Sequence, residues 1–190
     1  MIVSGEPLVS RAKWSRANWM IAFRRLLAPV TLIALLVLTQ TLASTVPSHA
    51  EPATTLTVIG PNGNRRVLTR DDFARLPQSR LQTSTAWTEG PQSFDGVLLR
   101  DVLATVGIDG RHIGDRQITV SALNDYSVEI PLLDAFKYDV LLAHRMNGKV
   151  LNRRDKGPYW IVYPRDQHEE LDDLRYAHRW AWQLKQIEVK

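Results

Sequence analysis

Ser121–Pro131 reads SALNDYSVEIP, His144–Leu151 reads HRMNGKVL and Lys156–Pro164 reads KGPYWIVYP. Each stretch sets β-branched and aromatic strand formers beside polar groups that a plain sheet does not need. In the first, residues 117–122 and 126–130 are predicted strands around an Asn124-Asp125 bend, since both side chains bond locally to the backbone and tolerate unusual dihedrals. In the second and third, residues 138–144 and 159–163 are predicted strands, separated by an Asn147-Gly148 turn and a basic loop.

Working outward, residues 51–55 read as a short linker, residues 56–59 as a strand, Gly60-Pro61-Asn62-Gly63 as a turn and residues 66–68 as its partner. Thr69 with Asp71 and Asp72 starts a helix that Pro77 closes. Residues 80–87 alternate with a period of two and predict a strand. Phe94-Asp95-Gly96-Val97 leads into a second helix, residues 98–106, stopped by Gly107. Residues 131–136 fit one helical turn, residues 169–178 a helix and residues 180–189 a closing strand. Many short strands with a few short helices predict an α+β fold with mixed β-sheets.

The first 50 residues differ in kind. Arg24 and Arg25 precede an apolar run from Leu26 to Leu38, and Ser48-His49-Ala50 follows with small residues at its first and last positions. Basic, apolar and small residues in that order make a secretory signal peptide, cleaved after Ala50. The run of about 13 residues is short of the roughly 20 that a spanning helix needs, with an uncleaved anchor as the alternative. The lead-in before Met20 is long, so translation starts at Met1 or Met20. The twin arginine lacks the basic residue that would follow it in a twin-arginine export signal. The reading therefore divides the chain into a leader, 1–50, and a domain, 51–190, exported to the periplasm. The charge divides at the same place: the leader holds five basic and one acidic side chains, and the remaining 19 of each balance. The domain has no global electrostatic reason to bind nucleic acid. The chain contains no cysteine, which excludes disulfides and thiolate metal sites.

In order and spacing, the three stretches resemble the oxidoreductase molybdopterin-binding domain family of the sulfite oxidase superfamily, in its small exported single-domain type. The resemblance covers residues 56–189 and implies a sulfite-oxidase-type fold, a pterin pocket, and molybdopterin as the cofactor; the residues by themselves commit to no cofactor. Relatives hold molybdenum through a cysteine thiolate on the strand before an aromatic residue. Aligned on Ala86-Trp87, that position falls at Thr83 or one residue to either side. A threonine hydroxyl is hard and protonated near neutral pH, a poor substitute for a soft thiolate. The resemblance thus names a lost metal-ligand position, no metal and no catalytic residue.

Six positions are expected to bind a ligand. The turn either only reverses the chain or also projects Asn124 and Tyr126 into a cleft, beside the pocket in relatives. Arg145, Arg153 and Lys156 belong to a dense basic set, either a solvated loop or planar donors for an anion such as the pterin phosphate. Arg179 is the counterpart of a basic segment that relatives use near their C-terminus. Trp160, Tyr163, Trp180 and Trp182 are read as core or sheet-face residues, and the histidines, scattered in sequence, form no site by spacing. His168-Glu169-Glu170 with Asp172 and Asp173 reads as a solvated, acid-rich helix start rather than a cation site. No nucleophile elbow, P-loop, dinucleotide or zinc signature occurs.

Three functions follow. One is a non-catalytic binding module for a small anionic or pterin-like ligand, serving a membrane sensor or a redox partner. Another is a molybdopterin-dependent oxidoreductase with oxygen ligation or a ligand from a partner. The last is a protein-interaction domain with a vestigial pocket. The missing thiol disfavours the second, and the basic set favours the first over the third.

Overall fold

The computed structural model describes residues 54–190, His112 excepted; the leader, its cleavage site and its anchor alternative lie outside these residues. Ten strands, three short α-helices and three 3₁₀ turns make up the described part. The first sheet has the order β2-β1-β10-β5-β6, built from β1 (Thr55–Ile59), β2 (Arg65–Thr69), β5 (Gln117–Ala122), β6 (Ser127–Pro131) and β10 (Leu184–Val189). Only β1 and β10 run parallel in it, Thr57 opposite Gln186, so the sheet is mixed. The second sheet is antiparallel. It runs from β3 (Gln78–Thr83) through β4 (Gln92–Leu98) to β7 (Leu141–Met146), whose far edge takes both β8 (Lys149–Val150) and β9 (Trp160–Val162).

One hydrophobic cluster draws on both sheets. Leu56, Val58, Ile118 and Ile187 enter it from the first, and Phe94, Val97, Leu142, Trp160 and Ile161 from the second, all fully buried. The helices α1 (Arg70–Arg75), α2 (Leu99–Ala104) and α3 (Asp134–Lys137) sit at strand ends. Thr69 caps α1 as expected: its hydroxyl accepts from the Asp72 N–H, and the Asp72 carboxylate accepts from the Thr69 N–H, each at 3.1 Å. Fold class and mixed sheets agree with the sequence reading.

Five elements differ from it, each for a local reason. The linker gives way at Thr55, which already pairs with Thr69. The strand expected to reach Trp87 stops at Thr83, because Ser84 turns to bond Asp166 instead of a neighbouring strand. Residues 94–97 form the core of β4, with a bulge between Asp95 and Gly96; read alone, they looked like the approach to α2. Residues 169–178 split into 3₁₀ turns, Glu169–Asp172 and Leu174–Arg179, because Leu171 is buried while Leu174 is 81% exposed. That leaves no apolar stripe to hold an α-helix down. The closing strand begins at Leu184 rather than Trp180, since Gln183 is left-handed at φ 57°. Trp182 instead makes an isolated bridge to Trp160.

Candidate functional site

The β5–β6 connection is an Asx turn. Asn124 Oδ1 accepts from the Tyr126 N–H at 3.2 Å, and Asp125 takes φ 64° while its carboxylate pairs with Lys185 Nζ at 2.6 Å. The turn holds Asn124 and Tyr126 against a cavity of about 410 Å³ whose other walls include Trp87, His178, Trp180 and Trp182. Trp87 comes from the loop after β3, and the last three from the segment that turns into β10. The rings brace one another. Trp87 lies 5.3 Å from Trp182 at 78° and 5.8 Å from Trp180 at 55°. Behind them Trp160 stands edge-on to Trp182 at 6.3 Å and to Phe94 at 5.4 Å. Trp87 is 37% and Tyr126 48% exposed, large apolar areas that a free surface rarely keeps without use. Rigid aromatic walls with an amide, a phenol and an imidazole at the rim suit a flat conjugated ligand with a polar edge.

Reading the aromatics as core or sheet-face residues was correct for Trp160 and Tyr163 and incomplete for Trp180 and Trp182, which wall the cavity together with Trp87. The available signal was Trp87 just after the strand that ends at Thr83; the signal could not say that distant segments bring their indoles together. His178 joins the rim although it was grouped with the scattered histidines.

Thr83 tests whether the family's metal fits. The residue is fully buried. Its hydroxyl accepts from the Asp166 N–H at 3.3 Å and reaches the Ser84 carbonyl at 3.4 Å, while Ser84 N–H and Oγ donate to the Asp166 carboxylate at 2.7 and 3.0 Å. This reciprocal clip turns the strand end inward. The opening against the nearby Ala86, Trp87 and Arg165 holds about 20 Å³, room for a water and little more, and Thr83 does not line it. Thr85 is also buried, its hydroxyl 2.8 Å from that of Thr88 and accepting from the Trp87 N–H. The intervening Ser84 is taken up by Asp166. A thiolate-bound molybdenum does not fit these residues: the donors are hard, engaged with neighbours and closed off. Among the described residues, no group of three or more His, Asp or Glu side chains could hold a metal ion either.

The expected ligand residues do not converge. Asn124 and Tyr126 line the tryptophan cavity, whereas Arg145 and Arg153 line another one, near α1 and β7. Lys156 pairs with Asp155 at 2.9 Å and lies over the rings of Trp160 and Trp182, 5.6 and 5.9 Å from their centroids. Arg179 is committed to structure. Its Nη1 donates to the buried Asp134 at 2.6 Å, its guanidinium stacks on Tyr176, and the Tyr163 hydroxyl donates to the same Asp134 oxygen at 2.9 Å. Burial, then the Asp134 charge, push the Tyr163 phenol well above its ordinary range. The tryptophan cavity therefore carries no arginine or lysine among its lining residues.

A family model described as oxidoreductase molybdopterin binding domain matches residues 43–167. In fold the chain is similar to the sulfane dehydrogenase SoxCD from Paracoccus pantotrophus, with a TM-score of 0.53 and 18% sequence identity. That likeness covers 71% of this chain and 37% of the other, so the chain spans well under half the length of that protein. None of the curated proteins matches.

Proposed function

Since this chain belongs to the oxidoreductase molybdopterin-binding domain family, we propose that it is a binding module without metal catalysis, exported to the periplasm, whose tryptophan cavity takes a flat, pterin-like ligand. The observation that supports this reading is the closed Thr83–Ser84–Asp166 clip, at the position aligned with the family's metal ligand, together with an open aromatic cavity whose ring-stacking surface stays accessible. Stacking selects a planar heterocycle. Asn124 keeps its Nδ2 to donate to a ring acceptor, and His178 at the rim adds a second polar contact. The lack of a cation in the lining favours the ring over a phosphorylated tail. Such a module would report its liganded state to a membrane sensor or a redox partner.

Tryptophan fluorescence tests the reading. Titration with 6-hydroxymethylpterin should quench the emission saturably, and Trp182→Ala should weaken binding by about 1–3 kcal/mol, the usual worth of one stacked heterocycle. Absence of saturable quenching, or about one molybdenum atom per chain in protein purified gently from its own host, would overturn it.

A further inference from the structure

A second cavity, of about 460 Å³, opens where α1, the end of β7 and the loop preceding β9 meet. Its lining includes Arg70, Asp71, His144, Arg145, Arg153 and Tyr159, and it shares no residue with the tryptophan cavity. Three guanidinium groups against one carboxylate leave the walls cationic. Arg145 donates from Nη1 to the Gly148 carbonyl at 3.2 Å, which leaves further N–H groups of its fork to donate. Arg70 has no hydrogen-bond or ion-pair partner among the described residues, although α1 lies beside this wall.

Tyr159 supplies the independent observation. It is 2% exposed, its ring packs on Phe73 at 4.7 Å, and yet its hydroxyl has no hydrogen-bond partner among the described residues. The hydroxyl oxygen keeps access to the cavity, so it is available to donate to a bound ligand. Burial pushes this phenol up to about 12, so it keeps its proton to donate at every physiological pH. Beside it, burial and then the Arg145 charge push the His144 imidazole below its ordinary value, so it stays neutral at neutral pH and offers one donor and one acceptor.

We propose that this cavity binds a small, multiply charged oxyanion, with its phosphate or carboxylate oxygens held by the forks of Arg70 and Arg145 and by the Tyr159 hydroxyl. The planar forks match such oxygens two at a time. The space exceeds what a single inorganic phosphate fills. Asp71 lowers the net positive charge and leaves an acceptor for a donor on the same ligand.

Calorimetric titration and thermal melts with pyrophosphate and with citrate, at constant ionic strength, test the assignment and separate phosphate from carboxylate as the source of the oxygens. At least one of the two should bind saturably and raise the melting temperature. Arg70→Gln and Arg145→Gln should each weaken it about tenfold or more. Tyr159→Phe should weaken it several-fold while leaving the melting temperature of the ligand-free protein within a degree or two, and Trp182→Ala should leave the affinity unchanged. Arg70 and Arg145 are exposed, so these variants are expected to fold. No saturable binding of either anion would overturn the proposal, as would an affinity that survives in the Arg70→Gln, Arg145→Gln double variant.

Discussion

At Asp134 three side chains share one buried oxygen, and the consequences can be weighed. The carboxylate is 5% exposed and accepts from both Arg179 and Tyr163. Asp134→Ala would strand a guanidinium whose side chain is 19% exposed and a phenol that is fully buried. Removing one partner of such a pair typically costs about 3–5 kcal/mol, so urea unfolding should show a loss of that order. A loss near zero would mean the pair has no structural role and would return Arg179 to the list of ligand-binding residues. His144 makes a pH prediction at the same scale. Its folded pKa is depressed, by burial first and by Arg145 second. In the unfolded chain an imidazole titrates near about 6.5, so the unfolded state takes up the proton first as the pH falls. His144 therefore stabilises the fold least below that value, and stability should decline from about pH 7 toward about pH 5.5. His144→Gln should flatten that decline; an unchanged slope would assign it to other groups.

Among the elements, β4 depends most on a single residue. A Cβ on Gly96 would run into the Leu142 carbonyl oxygen and come within 2.8 Å of the Ala143 Cα, both backbone atoms of β7 that cannot swing aside. The glycine stands at the bulge where the β4–β7 register shifts. Gly96→Ala should thus part the two central strands of the second sheet and cost more than about 2 kcal/mol, a large effect for a surface-sized change. Denaturant melts of the purified variant check this, and a shift under half that size would mean the sheet adjusts. The same residue explains why the sequence misled here. Phe94-Asp95-Gly96-Val97 reads as the lead-in to a helix, and only the neighbouring strand shows that the missing side chain makes room for a close backbone approach.

On the scale of the whole molecule, export is the claim that stands on residues 1–50. On this proposal, protein recovered from the periplasmic fraction should begin at Glu51, because the apolar run followed by Ser48-His49-Ala50 has the order of a cleavable signal. N-terminal sequencing checks it; full-length chain in the membrane pellet would point to the anchor. The two cavities belong to this scale as well. Asn124 and Tyr126 sit on one, Arg145 and Arg153 on the other, although all four lie within thirty residues of sequence. Both pairs lie at strand ends, as expected, but the ends belong to different sheets: the turn joins β5 and β6, and the arginines flank β7 and β8.

The amino-acid sequence by itself determined the α+β class, the strands around Asn124-Asp125, the strand leading to the Asn147-Gly148 turn though not the short β8 after it, the capped start of α1 and the absence of any thiolate. Each of these follows from local chemistry: periodicity, turn residues, a capping pair or composition. Only the tertiary structure decided that Thr83 faces a closed clip, that Arg179 is held by Asp134, and that Trp87, Trp180 and Trp182 wall a cavity with Tyr126. Those outcomes rest on partners dozens of residues away, such as Asp166 for Ser84 and Asp134 for Arg179. Which neighbour a side chain meets is set by how two sheets close on one core, and spacing along the chain carries little of that information.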